Sequence, residues 1–256
     1  MHFSEQFNVS AIKMRALGVF NPEIGIDSKM FVDPKLLHDA KDEFAGSHAD
    51  LLNHFGKVVK IIKRIKNNSD SDMAWVAAWT MMRFKETSNT SLGFSEDGTK
   101  GTGIGKVLAQ RIVSRATEIL PHVNYEPDIF ELIGVFAEGL GCDRLSDMIV
   151  SILKPRFVAY TDRITRALGV KRVIAYEIEK KEYLFPCFKE GDEPILLLPQ
   201  EILKPLPIAM NIGEALDNAD LNERVRDEVN KMYSDAFTLG ATPSKNQLRS
   251  FIWSRK

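Results

Sequence analysis

The hydrophobic positions of this chain fall first into helical spacing. From Ser47 onward, Leu51, Leu52, Phe55, Val58, Val59, Ile62 and Ile65 recur every three or four residues, one apolar stripe of a long amphipathic helix. Lys57, Lys60, Lys63, Arg64 and Lys66 fill much of the remaining surface. Residues 67–70 break the pattern, and Met73 to Phe84, with Trp75, Trp79, Met81 and Met82, is apolar enough to read as a buried helix. A glycine-rich loop over 86–103 follows. Helical spacing then resumes at Val107, Leu108, Ile112, Val113, Ala116 and Ile119 and is closed by Pro121. Glu126-Pro127 begins a further helix through Ile133, Phe136 and Ala137, which Gly139 and Gly141 interrupt. Asp143 can cap the next one, which reaches about Leu168 and stops at Gly169. Pro155 lies inside it and predicts a kink or a split near Leu153. Ahead of all this, the first thirty residues read as an irregular arm, and Asp33-Pro34 opens a helical pattern through about Phe44.

After Gly169 the period changes to two. In 172–179, Ile174, Tyr176 and Ile178 occupy one face of a strand, and Val173, Ala175, Glu177 and Glu179 the other. Pro194 to Leu198 is a second short apolar run, so an antiparallel pair joined by the charged loop around 189–193 is expected, then a short helix over Gln200 to Leu203. Asp220 caps a polar helix through about Phe237. The expected fold is α+β and mostly helical, with a small antiparallel β element in the C-terminal third. One helix-rich domain over 1–240 would hold a helical part (about 30–169), a β part (about 170–205) and a C-terminal helix (about 220–237). A basic, aromatic tail over 241–256 follows. No internal repeat or low-complexity tract stands out.

Composition narrows the functional classes. With 34 basic and 35 acidic residues and a formal charge of −1, no global field draws the protein to nucleic acid or anionic lipid, so any such contact must be a local patch. Two cysteines, Cys142 and Cys187, make neither a disulfide framework nor a paired zinc site and suit a reducing compartment. The N-terminal residues lack a signal-peptide pattern and no run of about 18 apolar residues occurs, so a cytoplasmic protein away from the membrane is expected.

Three constellations could carry chemistry. Gly101-Thr-Gly-Ile-Gly-Lys106 has the closely spaced glycines of a phosphate cradle, with Gly101, Gly103 and Lys106 as candidates. Neither the Walker A nor the dinucleotide spacing is met, and a flexible or tightly turned loop is the favoured account of the glycines. Asp143 and Asp147 stand one helical turn apart beside Glu138, and two converging carboxylates are what a hard Mg²⁺ ion needs. Helix capping, with Arg144 as neutralising or phosphate-binding cation, is the competing account. Asp162, further along the same helix, is a secondary candidate. Glu179-Lys180-Lys181 at a strand end has the Glu-x-Lys form of restriction-type nucleases, in which acids hold Mg²⁺ and the lysine activates water. A solvated strand face accounts for it as well. The histidines show no metal-ligand spacing, and Cys142 has no partner base. Nucleic-acid contact has two local supports: the Lys57 to Lys66 face, and a tail in which Arg249 and Trp253 could meet nucleic acid or a partner protein.

The stretch Phe136-Ala-Glu-Gly-Leu-Gly-Cys-Asp-Arg-Leu-Ser-Asp147, the downstream Tyr160-Thr161 and the run Leu197-Leu198-Pro199 resemble a loosely defined group of uncharacterised bacterial proteins. Leu92-Gly-Phe-Ser and Gly101-Thr-Gly-Ile-Gly belong to the same pattern. The resemblance implies a setting among mobile-element or antiviral defence genes. On it rests the expected function, a nucleic-acid-directed, metal-dependent nuclease or related hydrolase, with Asp143, Asp147, Glu138 and Ser146 as catalytic candidates. The alternative is a non-enzymatic, protein-interaction subunit of a larger assembly.

Overall fold

The computed structural model describes residues 1–85, 90, 92, 103–120, 142–188 and 194–205, apart from the side chains of Ile119, Cys142 and Asp143. The helices expected at 126–137 and 220–237, most of the glycine-rich loop and the basic tail lie outside these residues. The chain divides into two compact units, one formed by 1–51, 84–104 and 142–206, the other by 52–83, 105–141 and 207–256.

In the first unit the N-terminal arm is helical where an irregular segment was expected. Helices α1 (Phe3–Gln6) and α2 (Ala11–Ala16) are short, and local caps hold them. Glu5 accepts the His2 N–H at 3.0 Å, and Ser10 accepts the Lys13 N–H at 3.2 Å. Strand β1 (Met30–Val32) follows. The helix expected from Asp33-Pro34 does not form: Asp33 spends its backbone N–H on the Ile202 carbonyl, and its side chain accepts the Lys35 N–H at 3.0 Å. The same Asp-Pro pair that can start a helix here makes a turn out of a strand. A 3₁₀ turn at Asp42–Phe44 is the helical structure in that stretch.

Pro155 divides the long helix expected from Asp143 to Leu168, as the sequence predicts. Helix α6 (Cys142–Ile152) ends at Leu153, and α7 (Lys154–Leu168) begins with the proline in its first turn, where its missing N–H has no partner to lose. Gly169 closes α7 at φ +69°, a left-handed conformation that glycine adopts freely. Phe157 is fully buried beneath Phe44, with ring centroids 4.7 Å apart. Strand β2 (Val173–Ile178) pairs antiparallel with β3 (Lys181–Pro186), from Val173 opposite Pro186 to Ile178 opposite Lys181. The expected partner, 194–198, instead runs extended against α7. The turn at Glu179-Lys180 has both residues at positive φ, +52° and +66°, the geometry of a two-residue hairpin built without the usual glycine or asparagine. Glu179 therefore sits at a hairpin tip and does not share a strand face with Lys181. After a 3₁₀ turn at Gln200–Ile202, β4 (Leu203–Pro205) returns to pair antiparallel with β1. Among the described residues both sheets are two-stranded and antiparallel, and helices dominate, an α+β fold.

The second unit holds most of α3 (Ser47–Ile62), with α4 (Met73–Met81) packed on α5 (Lys106–Ile119). The α3 stripe buries Leu51, Phe55, Val58, Val59 and Ile62. Asp72 caps α4 by accepting the Ala74 and Trp75 N–H groups, and its second oxygen takes those of Lys66 and Asn67. Among the described residues no helix is long and apolar enough to cross a membrane.

Candidate functional site

The polar motif of α6 and α7 lies at the centre of the first unit, and most of its side chains bond backbone. Ser146 shares the inward face of α6 with Ile149, Val150 and Leu153 and is 3% exposed. Its hydroxyl accepts the Val32 N–H at 3.0 Å, so a donor of β1 is satisfied from the helix. That placement explains the serine without catalysis. On α7, the Thr161 hydroxyl accepts the Leu197 N–H at 3.0 Å and lies 3.5 Å from the carbonyl oxygen of the same residue. The neighbouring Tyr160 hydroxyl reaches toward the Gly18 carbonyl at 3.5 Å, and burial pushes its pKa up. Asp162 accepts the Leu184 N–H at 2.8 Å and Arg166 Nε at 2.9 Å. These four side chains hold an irregular turn and three extended segments against two helices. An unpaired buried amide would otherwise cost about 1–3 kcal/mol each time.

Where α6 packs on β1, the sequence reading missed a carboxylate. Asp33 follows the residue bonded to Ser146, is 6% exposed, and pairs with Lys204 Nζ at 2.7 Å across the β1–β4 pair. Its Asp-Pro context points to a helix cap, and nothing local announces a lysine 171 positions downstream. Asp147 and Arg144 are half-buried on α6. Asp143 lies in the first helical turn, one turn before Asp147, rather than ahead of the helix as its cap. Among the described residues no three His, Cys, Asp or Glu groups could together hold a metal ion. The Asp143 side chain is outside that set, as are Glu138, Gly101, Arg249 and Trp253. Gly103 is buried at φ +51°.

The second unit carries its charge differently. Lys106 begins α5, but its ammonium pairs with Asp70 at 2.9 Å and lies 4.9 Å from the centre of the Trp79 ring. Gln110 also donates to Asp70, and the Lys106 hydrogen bond lowers the pKa of that carboxyl. Asp72 is lowered to about 2, chiefly by the backbone N–H groups of Lys66 and Asn67. Glu118 is held by Arg115 at 2.8 Å. Residues 52–83 and 105–120 contain three acids, all engaged in this way, against nine lysines and arginines. Of those bases, Lys57 and Lys60 of α3 and Arg64 of the turn that follows it are exposed along one stripe. None of the three makes a salt bridge or side-chain hydrogen bond among the described residues. Beneath them the His54 ring is shielded from water, which lowers its pKa, and Lys57 adds to the effect.

No curated protein and no solved structure matches the chain. A family model described as a domain of unknown function, DUF8370, matches residues 8–211. That span takes in most of each unit, the Ser146-Asp147 and Tyr160-Thr161 motifs and the β1–β4 pair; the chain belongs to the DUF8370 family.

Proposed function

We propose that the chain acts on nucleic acid and binds it through the exposed cations of α3. The supporting observation is the row Lys57, Lys60 and Arg64, which no acid of the described residues neutralises although the chain as a whole is nearly neutral. The seven steps from Lys57 to Arg64, which lies in the turn after α3, span about 10 Å at helical rise, that of roughly three phosphate steps along one strand. Placing bases near a helix C-terminus also favours the helix itself, but that needs one or two charges and not a row. Binding of a fluorescent oligonucleotide, followed by anisotropy against salt, tests the reading. Replacing all three with alanine should weaken binding at least tenfold and reduce the salt slope by about 2 to 3. Equal affinity in both proteins, or no binding at low salt, would overturn it.

The hydrolytic part of the proposal rests on Asp147, with Asp143 one turn before it and, where α6 meets β1, the buried Asp33 carboxylate paired with exposed Lys204. Mg²⁺ held by Asp143 and Asp147 would polarise a phosphodiester oxygen for attack by water. Cleavage that needs Mg²⁺ or Mn²⁺ and is lost in Asp147→Asn is the expected result. Metal-independent binding without cleavage would leave a binding module. The bacterial defence setting implied by the resemblance belongs to the same proposal, and predicts that Asp147→Asn loses protection in a phage challenge.

A further inference from the structure

The two edges of the β2–β3 hairpin are treated differently. In a hairpin closed by two residues, alternate pairs exchange hydrogen bonds, starting from the closing pair Ile178 and Lys181. Tyr176 and Ile174 therefore bond inward to β3, whereas Val173, Ala175 and Glu177 direct their N–H and C=O groups away from it. On the β3 side the corresponding outward N–H, that of Leu184, is taken by the Asp162 carboxylate, and α7 packs along the strand. On the β2 side no strand is paired among the described residues. From Ala175 to Ile178 every residue is exposed, including Tyr176 at 41% and Ile178 at 42%.

An open edge with charges of one sign repels a copy of itself, which is a common protection against edge-to-edge pairing. Here the signs differ between the ends: exposed Lys171 precedes β2, and Glu177 and Glu179 lie at its far end. In an antiparallel pairing with a second β2, centred on Ala175, outward-facing residues meet outward-facing residues as the ladder requires. Lys171 of one copy then lies beside the hairpin tip of the other, near Glu179, with Glu177 on the diagonal. On the other face of the joined sheet, half-buried Ile174 of one copy meets exposed Tyr176 of the other, and Ile178 meets Arg172. Arg172 would not interfere, because its guanidinium is held by the Gln6 carbonyl and lies 4.9 Å from the centre of the Phe7 ring.

We infer that the β2 edge is a self-association surface on which two copies join their hairpins into one four-stranded antiparallel sheet. Such an interface is isologous and closes as a dimer. Sedimentation of the full chain over a range of concentrations tests it. The expected result is a monomer–dimer equilibrium, and Ala175→Pro, which removes one outward N–H and no bond to β3, should weaken the dimer at least tenfold. Lys171→Glu should weaken it similarly, because three acids then face one another at each end. Adding Glu177→Lys and Glu179→Lys to that variant restores opposite signs and should restore the dimer. A chain that stays monomeric at every concentration would overturn the inference. So would a dimer indifferent to Ala175→Pro, or one that the charge exchange fails to rescue.

Discussion

The helices of the first unit turn their polar side chains inward, and α3 in the second turns its cations outward. Ser146, Thr161 and Asp162 each accept a backbone N–H from a neighbouring segment: Val32 of β1, Leu197 of the stretch before the 3₁₀ turn, and Leu184 of β3. The side chains of Lys57, Lys60 and Arg64 make no salt bridge or hydrogen bond among the described residues. A polar residue inside a helix bundle replaces water for an amide, so removing it is felt as lost stability. A solvated cation contributes little to stability, so its effect is on binding. The two units should therefore respond to substitution in opposite ways.

The largest effect is expected where the inward-facing helices meet the core. Phe157→Ala removes a fully buried ring packed on Phe44 and should lower unfolding free energy by about 3–5 kcal/mol, measured by urea denaturation. Next comes Thr161→Val, close in shape but without the hydroxyl. It leaves the Leu197 N–H unpaired in a dry site and should cost about 1–3 kcal/mol. Thr161→Ser keeps the hydroxyl and should lose less. If valine proved as stable as threonine, the view that the motif hydroxyls hold the backbone would fail.

How much of this contrast can be read from sequence depends on the range of the interaction. Stripes with helical spacing locate α3 and α5, an apolar run locates α4, and Pro155 and Gly169 mark the split and the stop of the helix expected from Asp143 to Leu168, because these are decided within a few residues. The β1–β4 pair joins three-residue strands from distant parts of the chain, too short to show a period. The Glu179-Lys180 turn carries no glycine or asparagine to announce it, so β3 is assigned to the wrong segment. The candidate site divides in the same way. The cations of α3 are legible because exposure follows from periodicity. Ser146 looks like a catalytic residue because its hydrogen-bond partner is 114 positions away. Asp33 looks like a cap for the same reason.

A smaller effect should separate the two units by kind. Lys57→Ala, Lys60→Ala and Arg64→Ala together should change unfolding free energy by no more than about 0.5 kcal/mol, while oligonucleotide affinity falls at least tenfold. Loss of both in parallel would make the row a structural element and remove the contrast.

The smallest expected effect comes from a charge pair of the first unit and concerns acid. Glu43 is held by the guanidinium of Arg163, and that hydrogen bond lowers its pKa below the ordinary glutamate value. A carboxyl whose folded pKa is depressed binds protons more readily when unfolded. Its contribution is complete above the unfolded value, near 4.3, and disappears as pH falls through the lower folded one. Glu43→Gln should therefore be less stable than the parent at pH 7 by no more than about 1 kcal/mol, as for other partly exposed ion pairs. The difference should close on acidification below pH 4. Lys57, Lys60 and Arg64 have no carboxylate partner among the described residues, so their triple variant should lie parallel to the parent over the same range. A divergence there would mean that the row is paired after all, with an acid beyond the described residues.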